Sequence, residues 1–143
     1  MKKVLFVINT LGCAGAEKAL LELLRRFPED QYEVALYVLL GQGEMVHQIP
    51  EHVDLLNSQY SDASVLTKEG KRELNRSVLR RMFSKGSIFR NLPYILKNGT
   101  QMLRKGRIYP DKLLWKVMSD GADRLNEEYD RAIAYLEGGS TYY

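Results

Sequence analysis

The sequence predicts an α/β fold, a doubly wound and mainly parallel sheet with flanking helices. Three observations predict it. A dense apolar run, Val4 to Ile8, gives way after a glycine-bearing turn to apolar residues at helical spacing. Further short runs follow at Tyr32 to Leu40, Val53 to Leu56 and Tyr129 to Leu136, separated by turn signals or helical patterns. The longer runs lack polar alternation, as parallel strands covered on both faces do. Crossovers between such strands are right-handed.

Lys2 to Phe27 is the stretch around which the chain is organised. Its β-branched and aromatic residues Val4, Phe6, Val7 and Ile8 make the first strand, and Ala19, Leu20, Leu23, Leu24 and Phe27 define one face of the helix that follows. Between them, Gly12 and Gly15 can take backbone angles closed to other residues and let a ligand approach the main chain. The free amides of the first helical turn suit a phosphate or another anion. In open α/β sheets the ligand crevice lies beyond the carboxyl ends of the strands. A plain strand-to-helix turn is the alternative. The spacing is neither GxGxxG nor GxxxxGKS/T, so the dinucleotide fingerprint and the P-loop are absent. An oxidoreductase domain would also want an acidic residue closing the second strand, which instead ends Leu39-Leu40-Gly41.

Pro28 to Gln31 reads as a turn, Tyr32 to Leu40 as the second buried strand, and Gly41-Gln42-Gly43 as its close. A short helical turn over Glu44 to Gln48 and a brief third strand at Val53 to Leu56 follow. His47 and His52 fall in this region with no cysteine or further histidine at ligand spacing, so both read as solvated and no metal is expected.

The middle of the chain changes character. From Leu66 to Arg107 twelve basic residues face only Glu69 and Glu73, a local charge of +10 in a chain whose total is +3, which leaves −7 for the rest. Apolar residues recur at helical spacing, Leu74, Val78, Leu79, Met82 and Phe83, then Leu92, Ile95, Leu96, Met102 and Leu103. Gly86 and Pro93 divide the stretch into two or more helices. A basic amphipathic helix can lie on an anionic membrane, each cation near the surface adding about 1 kcal/mol. Arg72, Arg76, Arg80, Arg81 and Lys85 are the candidate membrane-facing cations. Alternatively, the apolar faces pack on the sheet and the cations face water. Nucleic acid is not expected, because no RNP, KH, zinc-finger or helix-turn-helix pattern is present.

Asp111 to Asn126 reads as another helix, with Asp111 as N-cap and Leu113, Leu114, Val117, Met118 and Leu125 on one face. Trp115 is expected to be half-buried, and Asp120 and Asp123 solvated. Ala132, Ile133, Ala134 and Leu136 make a fourth buried strand, and Glu137-Gly138-Gly139 follows. If the first and fourth strands are neighbours, their two glycine-bearing loops meet at one edge of the sheet. No catalytic pair can be named there.

At 143 residues with 45% hydrophobic content the chain has the size and composition of one domain with a core. The single cysteine, Cys13, rules out an internal disulfide and suits a reducing compartment. The apolar core Val4 to Ile8 is shorter than the roughly 7 to 15 residues of a signal peptide's apolar h-region. A cytoplasmic location is the expectation, free or peripheral on the inner face of the cell membrane. Without a secretion signal the sequons at Asn75 and Asn98 carry no meaning.

The string Gly12-Cys13-Ala14-Gly15-Ala16-Glu17-Lys18-Ala19-Leu20, placed after an initial buried strand, resembles the amino-terminal domain of family 4 glycosyltransferases. These are retaining enzymes of the GT-B fold, built from two Rossmann-like domains. Ala14 stands where the first glycine of the usual Gly-Gly-Ala-Glu is found. The resemblance extends to Tyr32 to Leu40 and Tyr129 to Gly138.

It implies an acceptor-side domain in which Gly12, Gly15, Ala16 and Glu17 lie near the donor diphosphate, while Glu137 and Gly138 border the acceptor. The implied partners are a nucleotide-sugar donor, as co-substrate with no cofactor or metal, and a glycan or lipid-linked acceptor such as a cell-surface polysaccharide precursor. No two glutamates have the spacing of the family's paired-glutamate motif. The chain is therefore expected to be an amino-terminal fragment, inactive alone and open to self-association. A non-catalytic Rossmann-like binding module, docking through its basic helices, is the competing expectation.

Overall fold

A computed structural model describes residues 1–106, 110–122 and 124–136, and the backbone alone for residues 110–114. Four strands, β1 (Lys2–Ile8), β2 (Tyr32–Val38), β3 (Val53–Leu55) and β4 (Arg131–Ala134), form one sheet in the order β3-β2-β1-β4. Every pairing is parallel, with Lys2 opposite Tyr32, Ile8 opposite Val38, and Val4 opposite both Val34 and Arg131. The helices are α1 (Gly15–Arg25), α2 (Lys68–Phe83), α3 (Ser87–Arg90), α4 (Leu92–Arg104) and α5 (Pro110–Asp120). The fold is thus α/β with a four-stranded, all-parallel sheet flanked by helices, and it is Rossmann-like.

Alternation along β1 and β2 divides the core. Val4, Phe6 and Ile8, with Val34, Leu36 and Val38, face Leu20, Leu21 and Leu24 of α1. Phe27 closes this layer edge-on to Phe6, with ring centroids 5.7 Å apart. The opposite face presents Leu5, Val7, Ala35 and Tyr37 to Ala122, with Leu125 and Tyr129 half-buried beside them.

The α1 face differs from the expected one. Ala19 and Leu23 are exposed, and the buried line is Glu17, Leu20, Leu21 and Leu24. The helix is rotated so that a glutamate continues its buried stripe at the carboxyl edge of the sheet. His52 is also not solvated: its Nε2 donates to the Leu24 carbonyl at 3.0 Å and its Nδ1 lies 3.0 Å from Glu29 Oε1. It ties the end of α1 to the start of β3.

Helices α2 to α5 pack on one another through polar contacts. Ser87 Oγ donates to the Val117 carbonyl at 2.6 Å, and Asn91 Nδ2 donates to Ser87 O at 3.0 Å and to Asp120 Oδ2 at 2.7 Å. Asp120, expected to be solvated, is held in this network with Lys116 Nζ at 3.0 Å. Helix α5 begins at Pro110, which puts Asp111 inside its first turn, and it ends at Asp120, so Leu125 is off the helix. Gly121 stops it where α2 passes: a Cβ there would overlap the Arg81 carbonyl.

β4 is not the buried strand that its composition predicts. All four of its residues are exposed, Ile133 at 39%. Among the described residues it pairs only with β1, and a cavity of about 820 Å³ runs beside it, lined by Leu5, Val7, Ala132, Ala134, Leu125 and Tyr129 among others. Among the described residues, one sheet face is open there.

Candidate functional site

The strand order sets where a ligand can enter. From β1 the chain winds outward through β2 to β3, then returns to the other side of β1 as β4. The switch point therefore lies between the carboxyl ends of β1 and β4, the position at which open α/β sheets bind ligands. The condition stated for the two loops to meet is fulfilled, since β1 and β4 are parallel neighbours. Tyr135 N–H donates to Val7 O at 2.8 Å and carries the pairing up to that edge.

Helix α1 starts at this edge. Its N-cap, Ala14, is extended and makes no side-chain capping bond, and the Lys18 amide donates to Ala14 O at 3.1 Å to begin the helical ladder. The amides of Gly15, Ala16 and Glu17 thus precede that ladder, where helices leave donors for water or ligand. A Cβ added to Gly15 would meet no atom within 4 Å. Glu17, 9% exposed, lies on the buried side of the same turn.

Gly12 is also constrained from within the chain. A Cβ on it would come 2.8 Å from Val65 Cγ2, so its smallness serves packing inside the chain. Neither Gly12 nor Gly15 uses a left-handed backbone; among the described glycines that conformation falls to Gly41, Gly43, Gly86 and Gly106. Glu137 and Gly138 lie outside the described residues, as do Arg107, Tyr109 and Asp123.

The loop after β2, read from sequence only as a turn, proves to be what braces the site. Leu11 N–H donates to Gln42 O at 2.9 Å, and Met45 N–H donates to Leu11 O at 3.1 Å. Gln42 is 1% exposed, and its Nε2 donates to the carbonyls of Ala63, at 3.1 Å, and Gly70, at 2.8 Å. Beside it, Glu44 accepts from Ser64 Oγ at 3.0 Å. Its own backbone N–H holds the Glu44 carboxyl below its ordinary range against the opposing effect of burial, and the amides of Cys13 and Val65 contribute. A negative charge therefore lies under the Cys13 turn. Burial, with Glu44 and Asp62 nearby, pushes the Tyr60 phenol far up, so it stays protonated and donates to Gly43 O at 3.0 Å. The signal available in the sequence was the pair Gly41 and Gly43 directly after an apolar run.

The five basic candidates divide. Arg76, Arg80 and Arg81 line a cleft of about 380 Å³ with Gly41, Ser58 to Ser61 and Glu73. Arg72 is exposed outside that lining, and Lys85 Nζ donates to Ala122 O at 3.3 Å, on the α5 side. Apolar side chains of α2, α3 and α4 face solvent, Phe83 at 60%, Phe89 at 74% and Leu103 at 69%.

Among the described residues, no group of three or more His, Cys, Asp and Glu could hold a metal ion, and no helix is long and apolar enough to cross a membrane. Comparison of the chain with protein-family models, curated proteins and solved structures gives no match.

Proposed function

We propose that this chain is the acceptor-side domain of a retaining, nucleotide-sugar-dependent glycosyltransferase, serving bacterial cell-surface polysaccharide or glycolipid synthesis and acting with a second domain that holds most of the donor. The observation that carries the reading is the start of α1, uncapped by any side chain and open above Gly15, at the β1/β4 switch point. Backbone amides and the positive end of the helix dipole suit a diphosphate. The string from Gly12 to Leu20, which resembles the family's motif, supplies that helix start. In this reading the domain alone turns over no substrate.

The test is an NMR titration of the ¹⁵N-labelled chain with nucleoside-diphosphate sugars and, separately, with a polyprenyl-phosphate-linked glycan. Saturable shifts confined to Gly15, Ala16, Glu17 and Leu136 support the reading; saturable shifts elsewhere, or none, sink it.

A second reading, a non-catalytic module that docks on an anionic membrane, is favoured by a separate observation. Phe89, Leu96 and Leu103 are exposed on helices that also carry Arg90, Lys97 and Arg104, the composition of an interfacial helix. Flotation with phosphatidylglycerol vesicles that weakens with salt, together with no sugar binding, is its signature.

A further inference from the structure

Helices α3 and α4 carry an apolar seam that stays exposed. Phe89, Leu96 and Leu103 are seven residues apart, and Leu92 and Gly99 follow the first two by three. That is the a and d pattern of a helix that packs along another helix. The backbone keeps the seam in register across the junction: Asn91 N–H donates to Ser87 O at 3.0 Å and Ile95 N–H donates to Asn91 O at 2.9 Å, so the helical ladder runs on through Asn91. Phe89, Leu92, Leu96 and Leu103 are between 48% and 74% exposed. From Ser87 to Arg104 the seam spans roughly 27 Å at the rise of an α-helix.

The back of the seam is fixed. Ser87 Oγ donates to Val117 O and Asn91 Nδ2 donates to Asp120 Oδ2, both in the last turn of α5. Ile95 and Met102, on one flank of the seam, are half-buried. The face is therefore preformed, and a partner does not have to order it.

The charge around the seam is of one sign. Between Ser84 and Gly106 the chain carries Lys85, Arg90, Lys97, Arg104 and Lys105 and no acidic residue. Lys97 and Arg104, each directly after a seam leucine, have no acidic partner among the described residues. They are one heptad apart and so share the other flank. A second copy would bring these like charges together across a symmetric contact, which opposes self-pairing. A bilayer is met by an apolar face of wider arc. This strip is narrow, bounded by Lys97, Thr100 and Arg104, and it is interrupted at Gly99, where an added Cβ would touch nothing within 4 Å. Such a gap adds nothing to insertion in lipid, but it admits a side chain from a facing helix.

We infer that the seam of α3 and α4 docks an acidic amphipathic helix of a partner protein. Apolar residues at the partner's a and d positions pack on Phe89, Leu92, Leu96 and Leu103, and its carboxylates face Lys97 and Arg104. The inference is independent of the glycosyltransferase reading, and it gives to a protein helix the face that the membrane reading gives to lipid.

The experiment titrates the ¹⁵N-labelled full chain with two synthetic peptides of three heptads, both with leucine at a and d, one with glutamate and the other with lysine at the flanking e and g positions. Like charges keep each peptide from pairing with itself. Work in about 0.15 M chloride screens diffuse surface attraction. Saturable shifts at Phe89, Leu92, Leu96, Gly99 and Leu103 are expected with the acidic peptide, with the basic one bound about tenfold more weakly. Leu96→Ser weakens binding of the acidic peptide roughly tenfold and Lys97→Glu roughly threefold or more, whereas Leu79→Ser on α2 changes it less than about twofold. All three side chains are exposed, and unchanged spectra elsewhere show that the variants fold. A further arm replaces the peptides with phosphatidylglycerol vesicles at the same salt. Vesicle binding that needs Leu96, without peptide binding, assigns the seam to lipid; a dimer in sedimentation that Leu96→Ser dissolves assigns it to a second copy. Either result overturns the inference, as do shifts that never saturate or equal binding of the two peptides. Sugar binding is read from Gly15 to Glu17, so either reading can fail without the other.

Discussion

Gly43 lies against Leu11 so closely that a methyl group added to it would overlap the Leu11 carbonyl. With φ at +149°, Gly43 also occupies a region that L side chains rarely adopt. The contact locks the loop after β1 to the loop after β2 and so sets the floor beneath the α1 start. Gly43→Ala is expected to cost about 3 kcal/mol or more, since strain and overlap act together. Gly99→Ala, in the interior of α4 with nothing within 4 Å of the new methyl, is expected to stabilise by about 0.5 to 1 kcal/mol. Urea unfolding midpoints of the two variants check both signs.

Gln42 holds two carbonyls from one buried amide. Gln42→Leu keeps most of the volume but leaves Ala63 O and Gly70 O without the Nε2 donor. An unmet buried acceptor is expensive, and the expected loss is about 2 kcal/mol. The same urea series reads it, and hydrogen exchange at the start of α2 should accelerate with it.

Asp120 links acidity to the attachment of α5. Burial pushes its carboxyl up, but hydrogen bonds from Asn91 and Lys116, with the charges of Lys116 and Arg90, outweigh that and leave it below the ordinary value. A carboxyl depressed in the folded state contributes stability above its unfolded value and loses it as the pH falls through the folded one. Acidification through and below the ordinary aspartate range should therefore loosen α5, and Asn91→Ala should flatten that part of the stability-pH curve. Trp115 fluorescence in α5 follows it; an unchanged slope in Asn91→Ala would contradict the assignment.

Phe89 is 74% exposed and makes little of the core. Phe89→Ser should leave the unfolding midpoint within about 0.5 kcal/mol of the parent, as surface substitutions do. In the membrane-docking reading it lowers flotation with anionic vesicles; equal flotation counts against α3 as part of the contact.

The β1-α1-β2 unit was legible because its cues are local: apolar runs of strand length, a glycine turn and helical spacing. The extent of β1, the 3-10 turn at Glu44–Gln48 and the break at Gly86 lie close to where those cues put them. Periodicity did not give the rotation of α1, because Leu21 and Leu23 are chemically alike and only the sheet decides which is buried. Ala132 and Ile133 read as core by composition, yet their burial depends on a neighbour for β4 and a cover for its faces, which are properties of the assembled sheet. Charge counts likewise could not tell that Arg80 reaches Gln59 while Lys85 turns toward Ala122. Those partners are distant in sequence.

The central claim is that a diphosphate-bearing sugar donor meets this domain at the uncapped start of α1. The most direct measurement is the amide spectrum of the chain with and without a nucleoside-diphosphate sugar, repeated with Gly15→Asp, which puts a carboxylate where the phosphate would lie. The account predicts saturable shifts at Gly15, Ala16, Glu17 and Leu136 in the parent and their loss in the variant, with the rest of the spectrum retained. Binding that survives Gly15→Asp unchanged, or no saturable shift at that edge with any such sugar, would contradict it.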